Sequence, residues 1–127
     1  MKSLQALILV LLFCVQFGMA QEKKSKDHEG DKALTTYVIE REIPDIGEST
    51  PADLTGISQK SCSVLKEMDA DKIQWIHSYV AENKIYCIYK AENEDLLREH
   101  ASKGGFPINS ISVVSDVISP KTAEGQK

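Results

Sequence analysis

Two strand-like runs, IQWIHSYV (residues 73–80) and KIYCIYKA (residues 84–91), follow one another with only Ala81-Glu82-Asn83 between them. Each is dense in β-branched and aromatic residues, so the pair reads as an antiparallel hairpin. Neither run alternates cleanly between apolar and polar. Trp75 and Tyr79 stand on one parity, Ile76 and Val80 on the other. A sheet built around this hairpin has two apolar faces to cover, and few small folds meet that requirement.

The flanking segments supply the cover for one face. TTYVIEREI (residues 35–43) reads as a first strand, closed by Pro44-Asp45 and Gly47. The next stretch, STPAD, is a helix start: Thr50 as N-cap, Pro51 at the first helical position and Asp53 in the place usually taken by a capping-box Glu. Leu54, Ile57, Ser61, Leu65 and Met68 then recur along one helical stripe, with Cys62 at its edge. A second helix begins after Asn93, carries Glu94 and Asp95 in its positive first turn, and stops at Gly104-Gly105 before Pro107. Its stripe of Leu96, Leu97, His100 and Ala101 points His100 toward the sheet. INSISVVSDVIS (residues 108–119) reads as the last strand.

The order β-α-β-β-α-β is that of a ferredoxin-like α+β domain, with a four-stranded antiparallel sheet and both helices on one face. The other face of the hairpin is left apolar and uncovered. Burial against a second copy would satisfy it, so the expected assembly is a homodimer packed sheet to sheet.

The ends of the chain differ from its middle. Residues 1–20 read as a signal peptide: Lys2, an apolar run over residues 7–15, and Gly18-Met19-Ala20 before a charged stretch. That run is too short for a spanning helix. Cys14 follows Phe13 rather than a small residue, which argues against a lipid anchor. The protein is therefore expected to be exported, periplasmic or secreted, with no membrane association after cleavage. Residues 21–34 read as a disordered charged tether in which His28 is simply solvated, residues 35–119 as the folded domain, and residues 120–127 as a disordered tail. The 127 residues carry a formal charge of −4, and removal of Lys2 makes the chain more acidic still. With no basic cluster beyond Lys23-Lys24, a nucleic-acid partner is not expected.

Processing leaves two cysteines, Cys62 and Cys87, in a compartment where a disulfide could persist. The alternative use of Cys87 depends on the hairpin register. With Glu82-Asn83 alone as the loop, Ser78 stands opposite Cys87, and His77 and Cys87 face opposite sides. With a loop of Ala81-Glu82-Asn83, His77 stands opposite Cys87. Glu-Asn is a poor centre for a two-residue turn, whereas Asn83 accepts the left-handed conformation that closes a three-residue one. Turn chemistry thus favours the longer loop. Trp75, His77, Tyr79, Ile85, Cys87 and Tyr89 would then share the non-helical face, and Ile76, Ser78, Val80, Tyr86 and Ile88 the other. An imidazole and a thiolate paired in this way suit zinc, nickel or copper. His77, Cys87 and His100 are the candidate metal ligands, and Trp75, Tyr79, Tyr89 and Glu40 the candidate pocket residues. The two-residue register instead turns one of the pair toward the helices; if that residue is Cys87 it approaches Cys62, and a staple between them competes with the metal site.

The strings KSCSVLKEM, IQWIHSYV and KIYCIYKAENEDLLREHASKGGFP, together with the closing strand, resemble a small bacterial family of unknown function described as nickel-binding-protein-like. The resemblance covers about residues 37–118, and residues 75–107 are its most specific part. It implies a ferredoxin-like dimeric α/β barrel and transition-metal binding, nickel in particular, without implying a reaction. Cys62, His77, Ser78, Tyr79, Cys87, His100 and Gly104-Gly105-Phe106-Pro107 match its characteristic strings.

Other chemistries find less support. KGGFP lacks the length and lysine of a phosphate-binding loop. No compact C-x-x-C or H-x-x-x-H motif and no nucleophile–base pair can be defined. Two alternatives to metal binding stand: a dimeric barrel enclosing a small molecule for oxidation or isomerisation, which rests on fold alone, and a disulfide-stapled interaction domain.

Overall fold

The computed structural model describes residues 33–125. The expected signal peptide and most of the expected tether lie outside the described residues. The order is β1 (Thr35–Glu42), a 3-10 turn (Ile46–Glu48), α1 (Pro51–Lys66), β2 (Ile73–Val80), β3 (Lys84–Ala91), α2 (Glu94–Gly104), β4 (Ser110–Val113) and a second 3-10 turn (Pro120–Glu124). The four strands form one sheet in the order β2-β3-β1-β4, with every neighbouring pair antiparallel. This is the ferredoxin-like α+β arrangement expected from the sequence.

Both helices begin where local chemistry says they should. Thr50 Oγ1 accepts the Asp53 N–H and the Asp53 carboxylate accepts the Thr50 N–H, closing the capping box around Pro51. The Asn93 side chain accepts the Leu96 N–H, and Gly105 ends α2 in the left-handed region at φ 71°. In α1 the stripe from Leu54 to Met68 packs inward, and Val64 joins it. The centre of the domain is Ile39 from β1 with Leu97 and His100 from α2, all fully buried.

The hairpin does not adopt the favoured register. Ala81 N–H donates to the Lys84 carbonyl at 2.8 Å, which leaves Glu82-Asn83 as a two-residue loop, and Ser78 stands opposite Cys87. Tertiary hydrogen bonds override the turn preference. The Asn83 side chain accepts the Asp45 N–H at 2.9 Å, and the Asn83 and Glu82 carbonyls accept the N–H groups of Ile43 and Gly47 at 3.0 and 2.9 Å. The segment after β1 thus clasps the hairpin tip. Asn83 is not left-handed; among the described residues the one non-glycine with positive φ is Asp45, at 59°.

A β-bulge adds a second departure. Trp75 pairs with Tyr89 and His77 with Ile88, so Ile76 is the extra residue and the parity of β2 reverses across it. Trp75 and Ser78 consequently lie on one side, with Trp75 Nε1 donating to Ser78 Oγ at 2.9 Å. Trp75, Ser78, Val80, Ile85, Cys87 and Tyr89 face the helices. His77, Tyr79, Tyr86 and Ile88 face away, so the expected grouping of the hairpin is corrected on both strands.

The last strand is also shorter than expected. β1 offers β4 its residues from Tyr37 to Glu40, and one further bond joins Val114 N–H to the Thr36 carbonyl at 2.8 Å. Beyond that β1 has no more edge to give, and Val117 and Ile118 are exposed. Where a disordered tail is expected, Pro120–Glu124 forms a single exposed turn.

Candidate functional site

The consequence of the short loop is that the chemistry-bearing residues are divided between two faces. On the helix side, a cavity of about 130 Å³ lies between α1 and the sheet. Trp75, Ser78, Cys87 and Tyr89 reach it from the hairpin, Arg41 from β1, Leu54, Ile57, Ser58 and Ser61 from α1, and Phe106 from the loop after α2. Alternation along TYVIER explains Arg41: it shares parity with Tyr37 and Ile39, whose side chains are core, and only 3% of it is exposed. From this charged stretch only Glu40 is expected at the pocket, so Arg41 was missed. The signal was present in the parity of the buried Ile39.

Arg41 is held by one hydrogen bond, Nη1 donating to the Pro107 carbonyl at 2.7 Å, and its guanidinium lies 5.5 Å from the centre of the Phe106 ring. Its Nη2 is buried without a partner. Burial pushes the Tyr89 phenol above the usual tyrosine range, with Ser61 and Arg41 opposing that shift. Tyr89 is therefore a neutral hydroxyl at physiological pH.

His100 adjoins this cavity beneath Tyr89 and Phe106, its ring 5.4 and 5.6 Å from theirs. Nε2 lies 3.2 Å from Ser61 Oγ and 3.5 Å from the Ser61 carbonyl, while Nδ1 is buried without a partner. Burial lowers its pKa below the ordinary 6.5, Ser61 acting against this and Arg41 with it. A histidine that stays neutral in the fold but takes a proton when unfolded makes stability fall with pH. The loss begins near pH 6.5 and stops once the folded-state pKa is passed. Urea midpoints from pH 7.5 to 5 should thus decline more in the wild type than in His100→Gln, which keeps a donor for Ser61 and does not titrate. Parallel curves would remove His100 as the cause.

The expected ligand set is not assembled. His77 is exposed on the open face, in edge contact with Tyr79 at 4.9 Å, whereas Cys87 and His100 are buried on the other side of the sheet. Among the described residues no three His, Cys, Asp or Glu side chains converge as a metal would require. His77, Cys87 and His100 therefore do not fit one metal ion within one chain. The register is the physical reason, since a one-residue shift carries a side chain through the sheet.

The competing staple is not formed either. Both cysteines are free, Cys87 buried in the cavity wall and Cys62 exposed on the outer side of α1, one position beyond the inward-facing Ser61. Of the expected pocket residues, Trp75 and Tyr89 line the cavity. Tyr79 and Glu40 stand on the open face, where Glu40 pairs with Lys84 and accepts from Ser110 Oγ at 3.4 Å. The Lys84 contact holds the Glu40 carboxyl below its usual range.

Residues 37–114 match the family model described as nickel responsive protein SCO4226-like. The crystal structure of SCO4226 from Streptomyces coelicolor A3(2) is similar to this fold, with a TM-score of 0.55 at 14% identity. That likeness covers 65% of this chain and 99% of the other, and at such identity it shows the fold alone. No curated protein matches the chain.

Proposed function

Since the chain belongs to the SCO4226-like nickel responsive protein family, we infer that it is an exported homodimer that binds a divalent transition metal through the open face of its sheet. The observation that carries this reading is the composition of that face. Tyr79 is 62% and Tyr86 37% exposed, Ile76 stands out at the bulge, and Val38 and Ile88 are half-buried between them. A contiguous apolar patch on a sheet with helices on its far side is ordinarily covered by a partner. Antiparallel packing of two such faces suits the isologous contact of a two-fold dimer.

His77 is the imidazole this face offers, and among the described residues it belongs to no group of three or more His, Cys, Asp or Glu side chains. Metal binding then draws on two copies, each contributing His77. Export rests on residues 1–20 and dimerisation on the open face, so the two parts of the reading fail independently.

Sedimentation and nickel titration of the tag-free protein test it together. The expected result is a dimer that Tyr79→Glu converts to monomer, because a carboxylate buried against its symmetry mate is strongly disfavoured. Nickel should bind the wild type, bind poorly to His77→Ala, and bind normally to Cys87→Ser. A monomeric wild type, or nickel binding that survives His77→Ala, would reject the shared site. The mass of the exported chain tests the first part, with Gln21 expected at its N-terminus.

A further inference from the structure

We propose that the cavity between α1 and the sheet is a binding site for a small organic carboxylate, with Arg41 as its anchor. This site is independent of the metal reading and lies on the opposite face of the sheet. Arg41 is 3% exposed, yet none of the ion pairs among the described residues includes it. A buried charge without a counter-charge is strongly disfavoured, and arginine cannot escape by giving up its proton. One carbonyl and the face of Phe106 compensate the guanidinium in part, and Nη2 still lacks an acceptor. Arg41 lines the adjoining cavity, where an anion supplies the missing counter-charge, and a guanidinium fork matches a carboxylate in particular.

The rest of the wall selects the ligand. Ser61 and Tyr89, both hydroxyl-bearing, line the same cavity beside Arg41. Leu54, Ile57 and Trp75 present an apolar surface to whatever follows it. A space of 130 Å³ is close to that which accommodates benzene, about 150 Å³ in an engineered cavity. A short aliphatic acid fits this description, and a nucleotide or a long-chain lipid does not.

The experiment is calorimetric titration of the full chain with butyrate, butyramide and inorganic phosphate at neutral pH. Butyramide has nearly the shape of butyrate without its charge, so the wild type alone makes the decisive comparison. Butyrate should bind, and butyramide should bind about ten-fold more weakly or worse, as expected for the loss of a charged hydrogen-bond partner. Arg41→Met should lose butyrate binding to the same degree. Its thermal midpoint without ligand should be no lower than that of the wild type, since a buried charge that is compensated only in part has been replaced by an apolar chain of similar length. Equal binding of butyrate and butyramide, no binding of butyrate, or full retention in Arg41→Met would overturn the proposal. Phosphate binding in place of butyrate would overturn it as well, by making the site one for inorganic anions.

Discussion

Ile39→Ala is expected to destabilise the domain by about 2–5 kcal/mol, the range for removing a large aliphatic side chain from a packed interior. Ile39 has no exposed surface, and its backbone partners are Cys87 in β3 and Ile111 in β4. It therefore sits in the middle of the sheet on the helix side, where neighbouring strands leave little freedom to collapse around a void. Domains of this size have about 5–15 kcal/mol in total, so at least about an eighth of the stability would go, and more in a marginal domain. Each kcal/mol moves a thermal midpoint by about 4–8 °C at this length, which makes urea or thermal unfolding a sensitive measure. Val113→Ala in β4 is the control. Val113 is 60% exposed, and its truncation should stay within about 0.5 kcal/mol. Similar losses for both variants would mean that the burial of Ile39 does not set its contribution to stability.

Gly47→Val should have the next largest effect, about 1–3 kcal/mol, through overpacking rather than a void. A Cβ at Gly47 would lie 2.9 Å from the Ala81 carbonyl oxygen and 2.9 Å from Glu82 Cα. Both are backbone atoms of the hairpin end, so relief requires the clasp between the Asp45–Gly47 stretch and the loop to open. Asn83→Ala attacks the same clasp from the other side by removing the acceptor for the Asp45 N–H, worth about 1 kcal/mol. Because the two changes break one contact region, their effects should not add. In the double variant, Asn83→Ala should cost clearly less than it does alone. Full additivity in chemical denaturation would show that the loop and the segment after β1 do not support one another.

That clasp also marks where reading the sequence succeeded and where it stopped. The helices were legible because their determinants are local. Thr50-Pro51-Ala52-Asp53 closes its own capping box, Asn93 caps its own first turn, and the stripe carrying His100 follows from helical period alone. The strands and their order were legible for a similar reason, since β-branched and aromatic runs between turn signals leave few topologies for a chain this short. The candidate site was legible only in its ingredients. Trp75, Tyr89 and Cys87 were picked out, but with the wrong companions, and Arg41 was missed.

Residue type and period thus determined the element order, the helix boundaries and the burial of His100. Only the tertiary structure decided which side of the sheet Cys87 and Trp75 occupy. Side-chain parity in a strand is a binary quantity, and two non-local facts set it here. Asp45 and Gly47, distant in sequence from the loop, hold Glu82-Asn83 as a two-residue turn that its own propensity does not favour. The bulge at Ile76 then reverses β2 once more between Trp75 and His77. Each is a single-residue event with no periodic trace, and each moves a side chain through the full thickness of the sheet.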